Sequence, residues 1–296
     1  MTVELTGDGA SSVPRRALGR ALRELRTEAR MTLEGAAGAL GWSRHKVWRA
    51  ESGVGPARGV DVRVMCELYE ARTRLTSALV ALAGETGAKG WWLAYGGAIP
   101  DWFDLYAGLE AAAGRLREYQ DVLVPALLQT REYATVACRH RPDGEREGVV
   151  GARLARQSLL RRRSPAPPRL AVVLSEAVLM RVVGDPATMA GQLRQLLAVG
   201  RLPHVSVRVL PLAAGPHRGA VAGAFVLLDF PPGNRGEPEA PVVYQESLSG
   251  ALYLDRPKEL AAYERVWASL DTLALDRDQS AQLIGKALDE LDLDEC

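Results

Sequence analysis

The sequence predicts a mainly α N-terminal helix-turn-helix bundle followed by an α+β C-terminal domain with a small, largely antiparallel sheet. Three observations carry this expectation. Up to residue 163 the apolar residues recur at the spacing of one helix face. Within that region, residues 32–53 (TLEGAAGALGWSRHKVWRAESG) read as two short helices joined by a tight turn. Beyond residue 164 the period drops to two, as in HVSVRVL (204–210), so helices come first and strands cluster later.

The elements follow in order. Residues 1–13 (MTVELTGDGASSV) lack a basic segment followed by an apolar core, so they are expected to be a disordered tail, not a signal peptide. Leu18, Leu22 and Leu25 mark one face of a first helix over 14–30, with Arg20, Arg23, Arg26 and Arg30 on the others. Thr32 caps the second helix, Glu34 suits the dipole of its first turn, and Ala36, Ala37 and Leu40 face inward until Gly41 ends it. Ser43 caps the third, whose inner face is Val47 and Ala50. A fourth helix carries Val62, Met65, Leu68 and Tyr69 inward, and a fifth carries Leu75, Leu79 and Leu82.

This gives a helical domain over 14–83, a linker over 84–90 (GETGAKG) and a second domain over 91–275. The second domain opens on an aromatic-dense stretch, 91–106. Helices are expected over 102–119, 128–139 and 145–163, then a strand over 170–174 and a helix over 186–199 entered by an early Pro. Strands over 204–210, 223–230 and 241–254 follow, the last folding into a hairpin near Ser249–Gly250. A helix over 256–274 closes the domain, and an acidic helix over 277–291 forms a last segment, 276–296.

Charge distribution says more than net charge. The chain of 296 residues has a formal charge of +1, but residues 15–80 hold 13 Lys and Arg against 7 Asp and Glu, a surplus of 6 that leaves −5 for the remainder. A basic front and a mildly acidic back favour a polyanion partner for the front alone. Cys66, Cys138 and Cys296 are far apart and lack metal-ligand spacing, which argues against zinc and against a disulfide framework and fits a reducing cytoplasm. No apolar run approaches the roughly 18 residues of a membrane span, so no membrane partner is expected.

A helix that reads DNA presents donors to base edges from its N-terminal half, while the preceding helix holds it on the phosphates. His45 and Arg49 point outward on the third helix, Arg44 and Lys46 flank them in its first turn, and Arg44, His45 and Arg49 supply donors on the groove side; arginine is the usual reader of guanine O6 and N7. Ser43 supplies the cap of that helix, and Lys46 and the amides that open the Thr32 helix suit phosphate. Trp48 also points outward, toward a thymine methyl, the sugar backbone or the turn beside Trp42. The plainer reading of any single arginine here is a solvated helix face; the caps, the Gly turn and the basic outward face together favour the functional one.

The segment LGRALRELRTEARMTLEGAAGALGWSRHKVWRAESG resembles the lambda-repressor-like (XRE-type) helix-turn-helix family, and Arg44, His45 and Arg49 fall on that family's base-reading positions. The chain departs from the pattern at Leu33, where a phosphate-clamping Gln is usual. Gly35 and Gly38 weaken the second helix by roughly 1 kcal/mol each against Ala. Ala36 and Ala50 stand where larger apolar residues are common. The words WWLAYGGAIPDWFDLYAGLEAAA, VPALLQTREYA, ARQSLL, PPRLAVVLSEAVLMRVVG, QLRQLL, VSVRVLPLAAGPHRGA, AFVLLDFP and VVYQE resemble the uncharacterised domain that follows such a unit in many actinomycete regulators, including antitoxin-like ones. The resemblance implies a homodimer on a near-palindromic double-stranded operator. It also implies a C-terminal domain that receives a signal from a ligand or a small protein encoded by a neighbouring gene. Alternatively, the chain neutralises such a partner and binds DNA for autoregulation.

An enzyme is not expected. Glu176, Glu246, His204 and His217 are the titratable candidates, but the simpler reading is capping or pairing with Arg181 or Arg208. There is no nucleophile elbow, HExxH or Walker loop, and no catalytic residue, metal or cofactor is assigned. The 212–222 loop, small residues around His217 and Arg218, reads equally as a partner-binding loop or a solvated turn. Trp91, Trp92 and Trp102 are candidate ligand or partner contacts, against the plainer reading of buried packing area.

Overall fold

A computed structural model of the chain describes residues 13–55, 57–85, 92–93, 105–140, 143–231, 240–247 and 250–293. The expected N-terminal tail except its last residue, most of the expected linker, and Trp91 and Trp102 lie outside these residues. The chain divides into two compact units, Met1–Leu109 with Glu246–Pro257, and Glu110–Gln245 with Lys258–Cys296.

The first unit holds α1 (Val13–Glu28), α2 (Leu33–Leu40), α3 (Arg44–Ser52), α4 (Gly59–Leu68) and α5 (Thr73–Glu85). Leu18, Leu22 and Leu25 are buried, as their spacing requires, and they meet Ala36, Ala37, Val47, Val62, Met65, Leu79 and Leu82 in one helical core. Leu40, Ala50, Leu68 and Leu75 are only half-buried. A short strand, β1 (Trp92–Leu93), also belongs to this unit and pairs antiparallel with a later one, β7 (Gly250–Leu254), with Trp92 opposite Leu252.

Next in sequence comes α6 (Leu105–Ala112), and here the expectation fails. A single helix was expected over 102–119; instead α6 stops at Ala112, and Arg115–Gln120 is a strand, β2. The reason is physical. Leu109 and Leu116, seven apart, suit one helix face, but Leu116 and Tyr119 are both buried on opposite faces of a sheet covered on both sides. Gly114 interrupts the helix, and its amide and carbonyl already pair with the Asp229 carbonyl and the Arg169 amide. Pairing partners more than fifty residues away decide the conformation, and local spacing does not contain them.

The second unit continues with α7 (Arg131–Ala137), α8 (Asp143–Arg156), β3 (Arg169–Ser175), α9 (Glu176–Met180), α10 (Pro186–Val199), β4 (Val205–Leu210), α11 (Gly219–Ala222), β5 (Phe225–Asp229), β6 (Val242–Ser247), α12 (Pro257–Leu273) and α13 (Arg277–Leu293). The helices expected to begin at residue 128 and to end at residue 163 are trimmed, with single 3-10 turns at Ala126–Leu128 and Gln157–Leu160. Pro186 enters α10 as expected, behind an Asp185 cap that accepts the Thr188 amide at 2.8 Å.

The sheet is the second correction. Its strands in this unit run β6-β5-β2-β3-β4, with β2, β3 and β4 parallel and β5 antiparallel to both β2 and β6. It is mixed, not largely antiparallel. The two parallel connections pass through helices, α7 and α8 from β2 to β3, and α9 and α10 from β3 to β4, as parallel neighbours require. Once β2 was read as helix, the strand–helix–strand rhythm was invisible.

α13 belongs to this unit as a working part. β4 is the edge strand, and α13 covers it: the Val209 amide donates to Ser280 Oγ at 2.9 Å, and Arg277 donates to the Gly200 and Val205 carbonyls at 2.7 and 2.9 Å. Arg208 of β4 caps the C-terminus of α12, donating to the carbonyls of Leu275, Asp271 and Ala274 and pairing with the Asp271 carboxylate at 2.7 Å.

Candidate nucleic-acid interface

The α2–turn–α3 unit is built by local chemistry. Thr32 Oγ1 accepts the Gly35 amide at 3.0 Å and Ser43 Oγ accepts the Lys46 amide at 3.2 Å, so both caps form as their sequence positions imply. Between them Gly41 takes φ +65, a left-handed conformation that side-chain-bearing residues adopt at a cost, and this turns the chain between the helices.

The seating of α3 comes from groups that local spacing did not single out. Glu51, at the inner end of α3, is 7% exposed. Arg26 of α1 grips it with two bonds, Nε to Oε1 at 2.7 Å and Nη2 to Oε2 at 2.9 Å, and donates a third to the Met31 carbonyl at 2.7 Å. The Tyr69 hydroxyl reaches Glu51 Oε1 at 3.4 Å. Bonding to Glu51 raises the Arg26 pKa, and burial pushes the Tyr69 phenol up, so both stay in the protonated, donating form. Arg26 follows Leu18 and Leu22 at steps of four, and Glu51 follows Val47 at the same step, so spacing places each charge on an inward helix face without naming its partner. Gly19 completes the seat, because a Cβ there would fall 2.6 Å from the Glu51 carbonyl oxygen; α1 and α3 touch backbone to backbone.

On the outward side, Arg44, His45 and Arg49 are exposed, and Trp48 is half-buried with its ring centroid 5.6 Å from that of His45. Arg44 Nε lies 2.6 Å from Glu34 Oε1 of α2. Lys46 is engaged differently from a phosphate clamp: its Nζ lies 3.0 Å from Asp61 Oδ1 of α4 and 3.5 Å from the centre of the Trp42 ring. Arg58 shares the Asp61 carboxylate at 3.3 Å. The face therefore offers two exposed arginines and an imidazole on a helix fixed from behind.

Two family models match this chain. One, described as a helix-turn-helix domain, covers residues 17–79; the other, described as a domain of unknown function (DUF5753), covers residues 103–286, more than half of the chain. The chain belongs to the DUF5753 family. No curated protein and no solved structure matches it. This DUF5753 protein thus carries a helix-turn-helix DNA-binding domain ahead of its family domain, which supports a part in transcription regulation.

In the DUF5753 region the other candidate residues fall as follows. Trp92 lies in β1, ahead of the matched span. His217 packs edge-on against Tyr119 with ring centroids 5.9 Å apart, and its buried Nδ1 has no hydrogen-bond partner among the described residues. Arg218 is exposed at the start of α11. Glu176 is tied down: its Oε2 accepts the Leu212 amide at 2.6 Å, which pins the 212–222 loop to the end of β3. His204 Nε2 lies 2.9 Å from the Leu160 carbonyl. Charges buried in α6 and β2 carry no local signal in the sequence. Arg117 is held by Glu264 at 2.5 and 2.6 Å and by Asp229 at 3.1 Å; Glu110 is held by Arg156 at 2.8 Å through both oxygens. Glu118, 6% exposed, accepts from Gln120 at 2.8 Å, and burial pushes its carboxyl up to about 7. Among the described residues no helix is long and apolar enough to cross a membrane.

Proposed function

We propose that this protein is a sequence-specific transcriptional regulator that binds a near-palindromic operator as a homodimer. What carries the reading is α3: Arg44, His45 and Arg49 stand exposed on a helix whose caps and buried Arg26–Glu51 pair fix its backbone from behind. Arginine donors on the N-terminal half of such a helix suit guanine edges in the major groove. Each half-site would take one unit, with centres about 34 Å apart. The DUF5753 unit pairs the two copies and receives the signal, from a small partner protein or a ligand, within the reducing cytoplasm. No chemical step is needed, since a signal that favours one paired geometry shifts DNA affinity by its differential binding.

A second reading is that the DUF5753 unit neutralises a small partner protein and DNA binding serves autoregulation. Selection from a random duplex pool, followed by binding titrations with full-length protein, tests the first reading. The expected result is one enriched motif with two inverted half-sites and affinity that falls steeply with salt. Enrichment of no motif would sink it. Co-purification from the native host separates the two readings: a stoichiometric small protein favours the second, and a clean dimer with a bound metabolite the first.

A further inference from the structure

The carboxylate of Glu34 stands at the edge of the DNA-facing surface, and its partner is one of the proposed base readers. Arg44 Nε lies 2.6 Å from Glu34 Oε1, with the two side chains 69% and 63% exposed. An ion pair so open to solvent contributes little to folding, because water screens it and both long side chains lose freedom. Its effect lies elsewhere. An unpaired arginine at an exposed helix start samples many rotamers, and ordering it on a base edge costs binding energy. Contact through Nε fixes the stem and leaves the Nη1–Nη2 edge of the planar guanidinium for an acceptor pair such as guanine O6 and N7.

The surroundings of Glu34 strengthen the point. It sits in the first turn of α2, whose N-terminus is where a phosphate would otherwise approach the amides. Thr32 uses its hydroxyl on the Gly35 amide, and position 33 is an apolar leucine. A carboxylate there weakens the site as a phosphate clamp. Lys46 is meanwhile held by Asp61 and Trp42. The basic side chains of this unit are thus braced by acidic ones from neighbouring helices.

We infer that Glu34 is a positioning residue for base reading: it pre-orders Arg44, and so sets sequence preference more than affinity. The inference rests on the reading of α3 as the DNA-contacting helix. The test uses full-length protein with two probes, the duplex that the wild type enriches from a random pool and a scrambled duplex of equal length. Glu34→Ala is expected to lower the preference for the enriched duplex by about two- to fivefold, the range that ordering by an exposed ion pair can supply. The loss falls at the base pairs where Arg44→Ala also loses preference. Glu34→Gln, which keeps an acceptor but not the charge, restores most of the preference. Thermal melting of all three variants stays at the wild-type value. In the double variant Glu34→Ala/Arg44→Ala, preference is no lower than in Arg44→Ala alone.

If Glu34→Ala and Glu34→Gln raise affinity for both duplexes by the same factor with preference intact, Glu34 acts only as a charge and the inference is overturned. A wild type that enriches no sequence overturns the DNA-reading proposal and this inference together. A wild type that enriches a sequence which Glu34→Ala reads equally well overturns this inference alone.

Discussion

Arg49 lies on the outward arc of α3 with Arg44 and is exposed. If it reads a base, Arg49→Ala should lower affinity for the enriched duplex by about 1–3 kcal/mol while leaving random-duplex binding within about a factor of a few. Equal losses on both, measured by titration at one salt concentration, would make it a phosphate contact. Glu118 gives a prediction of another kind. Its carboxyl is raised from an ordinary 4.5 to about 7, first by burial and also by Glu110, against the opposing effects of the Gln120 bond and Arg156. The folded state therefore holds a proton that the unfolded chain releases near 4.5. Its contribution is full below that pH and is lost as pH rises to about 7, a loss of roughly 3 kcal/mol across that window. Glu118→Gln, neutral at every pH and still able to accept from Gln120, should flatten that slope and raise stability at pH 8. Denaturant unfolding at pH 5 and pH 8 reads this directly; parallel pH profiles for wild type and variant would refute it.

At the scale of elements, α3 is seated by a buried pair and not by its own propensity. It is nine residues long, too short to persist alone in water, so contacts with α1 and α2 hold it. Arg26→Ala leaves the Glu51 carboxylate buried with the distant Tyr69 hydroxyl, a change that costs about 3 kcal/mol or more. Hydrogen exchange should then show α3 amides losing protection before those of α10, and binding to the enriched duplex should fall although Arg26 touches no base. Unchanged exchange in α3 would place the orientation of this helix elsewhere. The sheet shows the same dependence on remote partners. β2 carries Arg117, Glu118 and Gln120, residues that no strand propensity favours, and becomes the strand between β3 and β5 with Glu264 and Asp229 pairing its buried arginine.

For the whole molecule, the five helices of the first unit bury Leu18, Leu22, Val47, Val62, Leu79 and Leu82, so a fragment ending at Glu85 is expected to fold. Its affinity for the enriched duplex should be at least about tenfold below that of the full chain, because pairing two units raises effective concentration. Full-strength binding by the fragment would remove the DUF5753 unit from the pairing role. Much of the molecule was legible beforehand. The helix positions of the first unit, the two caps, the turn at Gly41, α10, β4, β5 and α12 follow from periodicity and punctuation in the sequence. The misreading of β2 hid the parallel half of the sheet, and the buried pairs Arg26–Glu51 and Arg156–Glu110 went unread because each joins residues 25 or more positions apart.

The sequence by itself determined the local grammar of this protein: apolar residues at helical steps, Thr32 and Ser43 ahead of two short helices, and arginines on the outer arc of the second. These depend on neighbours within four residues, and that is the range over which caps, turns and amphipathic faces act. Only the tertiary structure decided which charges are buried together, that 115–120 is a strand, and that Glu34 lies beside Arg44. Those outcomes depend on which distant groups satisfy a buried polar atom or extend a sheet, and no local pattern encodes the partner.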